Sequence, residues 1–286
     1  MSLTLTDLDD RPELATAVLR LYRHAGPGRH HAVCGDPAGM GLPPELNQLL
    51  DAPGVLLGLD GDGLTAVLAC CSYSDEQITL WGPVTEPPEQ EGHADAVLVG
   101  LRRLLHQSPY SSLRVQVDTR NRWLRAFYLR HGLSIWKDNV IFEVALQGQY
   151  ELDEQVCRLD YTDLEAAREL LYLAFPDSGH FEQAMIDREH KGYRHYGLWQ
   201  GHALVGAAAL RPHRRRSWLS MLAITDSQRA KGLGTRLLRG ICAHEQAGGA
   251  LALGLEVLAD NQTALRAYDK AGLERQFTTT ILTGPI

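Results

Sequence analysis

Residues Ile224 to Leu238 read ITDSQRAKGLGTRLL: an apolar run ends, two glycines fall within three positions, and an amphipathic stretch begins. Gly232 and Gly234 lack Cβ, so the main chain there can turn tightly and present its N–H groups to an anion. The first turn of a helix adds N–H groups without internal partners and the positive end of its dipole. Arg229 and Lys231 add full charges, and a phosphate or pyrophosphate fits such a place. The pattern is neither GxxxxGK followed by Ser or Thr nor GxGxxG, which separates it from the P-loop and the dinucleotide fingerprint. After another strand-like run carrying Glu256, the chain reads Asn261-x-x-Ala264-x-x-x-Tyr268-x-x-x-Gly272-Leu273.

In this order, Arg229-x-x-Gly232-x-Gly234 and the segment from Asn261 to Leu273 resemble the two halves of the acetyl-CoA site of the GCN5-related N-acetyltransferase (GNAT) superfamily. The sharper motifs lie within residues 218–273, while element order carries the resemblance over nearly the whole chain. It implies a mixed α/β fold of two tandem GNAT-like acyl-CoA N-acyltransferase domains. Each would have a central sheet that splays between its fourth and fifth strands, here 218–224 and 252–257. It also implies acetyl-CoA as cosubstrate, with the backbone of Leu222, Ala223 and Ile224 along the pantetheine arm. Arg229, Ala230, Lys231, Gly232, Leu233, Gly234 and Thr235 would surround the pyrophosphate.

The same resemblance gives Asn261 a bond to the pantetheine arm, although an Asn there can equally cap the helix that follows. Tyr268 becomes the candidate general acid for the departing sulfur, with packing against the carrier or the core as its other reading. Glu256 is the candidate base, acting through water or else paired with a basic neighbour, and His180 and Glu182 are alternatives to it. The implied activity is direct transfer of an acetyl group to an amine in a ternary complex. The acceptor would be a small-molecule amine or a peptide N-terminus. A noncatalytic acyl-CoA-binding regulatory or interaction protein is the alternative.

The elements that would position these residues occur twice. With an offset of 140, Gly92 falls on Gly232, Asn121 on Asn261, Tyr128 on Tyr268, and Gly132-Leu133 on Gly272-Leu273, which signals an internal repeat. In that register Glu89 replaces Arg229, Glu91 replaces Lys231 and Ala94 replaces Gly234. Carboxylates beside a pyrophosphate are unfavourable, so the first copy is expected to be degenerate and the second catalytic. The expected division is a first domain over 1–146, a polar linker over 147–152 and a second domain over 153–286.

In the first half, periodicity predicts strands at 2–7, 55–59, 65–73, 77–84 and 113–117, two further strands within 133–146, and helices at 12–22, 44–50, 92–106 and 121–130. In the second half it predicts strands at 157–160, 195–199, 203–210, 218–224, 252–257 and 277–282. The helices expected there are 164–174, 181–188, 232–244 and 263–270. Gly26 to Gly41 reads as a surface loop.

Bulk properties bound the alternatives. The 286 residues carry a formal charge of −7 and are 44% apolar, which favours globular cores and gives no field drawing the chain to nucleic acid or an anionic membrane. The basic run from Arg211 to Ser217 reads as a solvated hairpin turn, so no nucleic-acid partner is expected. Five cysteines without CxxC spacing read as small apolar residues in a reducing compartment. His30, His31 and Cys34 lack a second spaced cluster, so no metal is expected. No secretory signal or membrane span is evident, and a cytoplasmic location is the expectation. Oligomeric state is not fixed by the sequence.

Overall fold

The computed structural model describes residues 3–25, 54–160, 162–175, 192–213 and 215–286. The expected loop at 26–41, the helices at 44–50 and 181–188, and the candidates His180 and Glu182 lie outside those residues. Two compact units divide the chain: Met1–Asn139 with Phe277–Ile286, and Val140–Gln276.

In the first unit the chain runs through β1 (Thr4–Asp7), α1 (Ala15–Ala25), β2 (Gly54–Asp60), β3 (Gly63–Ser72), β4 (Gln77–Thr85), α2 (Glu91–Leu105), β5 (Ser112–Asp118) and α3 (Arg122–Arg130). It then enters β6 (Ser134–Ala145), which contributes residues up to Asn139 to this unit. β1 to β4 are joined by antiparallel ladders, and β4 pairs parallel with β5. The outer partner of β5 is the final strand of the chain, β12 (Glu274–Pro285), antiparallel through Thr279↔Asp118 to Pro285↔Ser112. Val18 and Tyr22 of α1, Val97 and Leu98 of α2, and Leu124 and Phe127 of α3 are buried with the strand residues in one core.

The second unit takes β6 from Val140 onward, then β7 (Val156–Arg158), α4 (Leu164–Ala174), β8 (Arg194–Gln200), β9 (Ala203–His213), β10 (Arg216–Ile224), α5 (Leu233–Ala247), β11 (Ala252–Leu258) and α6 (Gln262–Ala271). Strand neighbours run β7-β8-β9-β10-β11-β6. The pairs from β7 to β10 are antiparallel, and β10 with β11 is parallel. Side chains alternate across β9 as strand geometry requires. Ala208 and Leu210 join α5 in one core, whereas Ala207 and Ala209 join α4 in another. The buried carboxylate of Glu245 holds α5 to the sheet by accepting from Arg194 (2.8 Å), Tyr196 (2.7 Å) and Ser217.

Three expectations about chain organisation meet a different structure. Residues 133–146 hold one strand, Ser134–Ala145, not two: Asp138 accepts from Thr280 Oγ1 (2.6 Å) and Asn139 is buried, so the polar pair that resembles a turn lies inside a ladder. The segment 147–152 has linker composition but is fastened within the second unit. There Tyr150 is buried and its hydroxyl donates to the Ala271 carbonyl (2.9 Å), while Gln246 Nε2 donates to the Tyr150 carbonyl (3.1 Å). The compact units also divide the chain at 139/140 and 276/277 in place of 146 and 153, because β12 completes the ladder on β5.

Candidate active site

β10 and β11 pair only from Arg216↔Ala252 to Leu219↔Leu255, yet they continue to Ile224 and Leu258. The register of β10 against β9 shifts between Leu219 and Met221, leaving Ser220 as an extra residue. Such a bulge bends its strand, and here it turns β10 out of the parallel ladder. Met221, Leu222, Ala223 and Ile224 remain bonded to β9 on one side, while their other edge opens toward the gap. The splay expected between 218–224 and 252–257 is therefore present, between β10 and β11.

Beyond Ile224 the chain makes a short 3-10 turn over Asp226–Gln228 and then adopts left-handed backbone at Ala230 (φ 61°) and Gly232 (φ 80°). Gly232 is the residue before α5, and the first N–H to close onto its carbonyl is that of Arg236 (3.1 Å). The N–H groups of Leu233, Gly234 and Thr235 thus precede the helical ladder, and no side chain caps them. A Cβ on Gly232 would meet no atom of the described residues within 4 Å, so this glycine answers a conformational need and leaves its outer side open.

The two cations of the loop are turned toward its own acceptors. Arg229 pairs with Asp226 (2.8 Å) and its Nε donates to the Ile224 carbonyl (3.2 Å). Lys231 Nζ donates to the Ser227 carbonyl (3.0 Å) and to Gln228 Oε1 (2.9 Å). Thr235 Oγ1 donates to the Ala267 carbonyl (3.2 Å), which ties the start of α5 to α6 one residue before Tyr268.

Asn261 caps α6, its side chain accepting from Ala264 N–H (3.1 Å). Tyr268 is half-buried, with its ring edge-on to Phe142 of β6 at 5.7 Å, and burial pushes its phenol up to about 12. Among the described residues its hydroxyl has no hydrogen-bond partner. Glu256 is the first β11 residue past the last registered pair with β10 and is half-buried. Leu253, Leu255 and Val257 point into the core shared with α5 and α6, so Glu256 points to the opposite face. Gly254 lies on that face too, where a Cβ would come within 2.7 Å of the Trp218 ring. Tyr268 packs on the α5 and α6 side. The two candidate proton-transfer groups therefore flank the wedge from its two faces.

The first unit has the same wedge in another state. β4 and β5 pair only from Gln77↔Ser112 to Leu80↔Val115, although the strands continue to Thr85 and Asp118. Here Tyr128, the counterpart of Tyr268, is fully buried and donates to the Gly82 carbonyl (2.6 Å). Tyr22 of α1 donates to the adjacent Trp81 carbonyl (2.7 Å), and Pro83 has no N–H to offer. α2 begins at Glu91, two positions earlier in the repeat than α5, and Glu91 is paired with Arg130 (2.7 Å). Asn121 caps α3 from Leu124 N–H (2.9 Å), so capping is common to both copies. Sequence reading missed Asp226, Tyr22 and Phe142. A carboxylate three residues before Arg229 was a visible signal for the first, but nothing in the spacing placed the other two.

Residues 161–273 match the model of the acetyltransferase (GNAT) family. No curated protein matches the sequence. Among solved structures, the chain is similar to a GCN5-related N-acetyltransferase from Sphaerobacter thermophilus at 16% identity, covering 96% of this chain and 93% of that one with a TM-score of 0.74. A tandem GNAT protein from the clavulanic acid biosynthesis pathway is similar at 14% identity, covering 99% and 98% with a TM-score of 0.70. A GNAT-family acetyltransferase from Colwellia psychrerythraea is similar at 14% identity over 99% of each chain, with a TM-score of 0.62. The two wedge-bearing units and these likenesses give the chain a tandem GNAT fold, with the family match confined to residues 161–273.

Proposed function

We propose that the protein is an acetyl-CoA-dependent N-acetyltransferase that works by direct attack in a ternary complex, with its chemistry in the second unit. The observation that carries this reading is the early end of the β10–β11 ladder at Leu219↔Leu255, beside a glycine-headed helix whose first N–H groups are uncapped. These features fit a long anionic carrier. The N–H groups of Leu233, Gly234 and Thr235 would face its pyrophosphate, with the loop from Arg229 to Gly232 shaping the approach. The free edge of Leu222, Ala223 and Ile224 would pair with the peptide-like pantetheine arm. When bound, acetyl-CoA supplies an acetyl group activated as a thioester.

The chain's own residues then have distinct tasks. Glu256, on the face of Trp218, would take the proton of the incoming amine through water. Tyr268, on the other face, would give its proton to the departing sulfur, since burial keeps its phenol protonated far above neutral pH. Asn261 caps α6 and so fixes the helix that carries Tyr268, and its side chain would also be the one to bond the pantetheine arm. Activity in the second unit alone is supported by the contrast with the first, where the corresponding tyrosine is spent on a backbone carbonyl and Glu89 and Glu91 bring negative charge.

A small-molecule amine is the favoured acceptor, with a peptide N-terminus as the next class to examine. The tandem arrangement also resembles mycothiol synthase, so a cysteine-bearing pseudodisaccharide amine belongs in the panel. No helix among the described residues is long and apolar enough to cross a membrane, and a cytoplasmic location is part of the same proposal.

Calorimetry with acetyl-CoA tests the carrier site. Binding by the native protein and by Glu89→Ala, lost in Arg229→Glu, supports it, and a folded protein that does not bind acetyl-CoA overturns it. Release of CoA thiol across the amine panel tests turnover. Binding without turnover would make the protein a noncatalytic acyl-CoA binder.

A further inference from the structure

We propose that Asp226 is a positioning residue for the carrier loop, acting through Arg229 and improving anion binding despite its own negative charge. The inference rests on the second unit's reading as a CoA site and concerns how that site keeps its shape.

The loop is anchored at its start by Thr225, whose N–H donates to the Val205 carbonyl of β9 (3.0 Å). The next turn closes through Gln228 N–H to the Thr225 carbonyl (2.9 Å) and Arg229 N–H to the Asp226 carbonyl (3.2 Å). Main-chain bonds end there, and the left-handed residues Ala230 and Gly232 follow at once. What restrains the loop at this point is a side-chain bridge. The Arg229 guanidinium reaches back to the carbonyl of Ile224, the last residue of β10, and is held by the Asp226 carboxylate (2.8 Å). Lys231 makes a second, shorter return to Ser227 and Gln228. Both cations that a motif reading assigns to the phosphates therefore brace the turn that aims the N–H groups of Leu233, Gly234 and Thr235.

Two accounts of Asp226 then differ in sign. If charge alone mattered, a carboxylate in this loop would repel a pyrophosphate, and neutralising it would tighten binding. If the bridge matters, neutralising it releases Arg229, loosens the turn and weakens binding. Asp226 and Arg229 are both exposed, so the effect is that of a surface ion pair, about 2- to 5-fold in affinity.

The experiment is calorimetric titration of coenzyme A into the full-length native protein, Asp226→Asn, Arg229→Met and the double variant, with steady-state kinetics for acetyl-CoA alongside. The expected result is weaker binding in Asp226→Asn, with a raised KM for acetyl-CoA and an unchanged kcat. The double variant should bind no worse than Arg229→Met, because each single change breaks the same bridge. Equal or tighter binding in Asp226→Asn, or losses that simply add in the double variant, overturn the proposal. Failure of the native protein to bind coenzyme A would overturn the reading beneath it, so the two failures are distinguishable. Melting temperatures of the exposed-site variants without ligand should match the native value. A large fall in Asp226→Asn would mean that the residue stabilises the fold as a whole, and would also overturn the proposal.

Discussion

The tyrosines at 128 and 268 occupy the same place in the repeat but are bonded differently, so the same substitution at each should have crossed consequences. Tyr268→Phe removes a hydroxyl that has no partner among the described residues and keeps the ring against Phe142. Its cost in stability should be small, whereas loss of a general acid costs about 10²- to 10⁴-fold in kcat. Tyr128→Phe removes a fully buried donor at 2.6 Å from the Gly82 carbonyl and strands that carbonyl away from water. A buried group left without its partner costs about 1–3 kcal/mol. For a unit of this size that is a fall of roughly 2–10 °C in Tm, with turnover retained. Differential scanning calorimetry and initial rates on the two single variants read both axes. Full turnover in Tyr268→Phe would remove it from the chemistry. Lost turnover with an unshifted Tm in Tyr128→Phe would show that the first unit takes part in catalysis.

Three further outcomes are expected. Gly232→Ala places a Cβ on backbone with φ 80°, a strain of about 1–2 kcal/mol, and should weaken coenzyme A binding in calorimetry without changing the first unit. Burial disfavours the charged phenolate and moves Tyr268 up to about 12, so the acid form persists as pH rises; kcat/KM should climb with amine deprotonation and show no Tyr268-dependent fall up to pH about 10.5. Truncation after Gln276 removes the partner of β5 together with buried Ile281 and Leu282, each such side chain being worth about 2–5 kcal/mol, and hydrogen exchange should show loss of amide protection across β5.

The parts of the fold that rest on local chemistry were readable from the chain. Asn121 and Asn261 cap their helices, and Gly132 and Gly272 take the positive φ expected of residues that end them. Leu133 N–H and Leu273 N–H return to the carbonyls of Tyr128 and Tyr268 at 3.0 and 3.1 Å, so the repeat holds down to individual bonds. What could not be read depends on pairing between distant segments. Asp138 and Asn139 look like a turn until Thr280 arrives beside them, and Tyr150 looks like linker until its hydroxyl meets Ala271. The constant offset also fails where it matters for the site. Gln77 and Arg216, each the first registered residue of its parallel ladder, lie 139 apart, whereas their partners Ser112 and Ala252 lie 140 apart. One residue is gained in the second copy between Arg216 and Ala252, the stretch that includes the carrier loop.

The two wedges also differ in what the helix preceding each of them brings to the core. Tyr22 is the eighth residue of α1, and Leu171 is the eighth of α4, each buried in the core on its own side of the sheet. A tyrosine there carries a hydroxyl to the Trp81 carbonyl; a leucine has nothing to donate. Gly82 is needed for the approach, since a Cβ on it would sit 2.9 Å from the Val67 carbonyl and 3.3 Å from the Tyr22 hydroxyl. Burial pushes the phenols of Tyr22 and Tyr128 upward, so both remain donors, and together they occupy two successive carbonyls at the opening of the first wedge. In the second unit the corresponding tyrosine, Tyr268, has no hydrogen-bond partner for its hydroxyl among the described residues, and its ring packs edge-on to Phe142. The proposal that chemistry belongs to the second copy rests on this contrast, since the first copy uses the Trp81 and Gly82 carbonyls to hold its own wedge together.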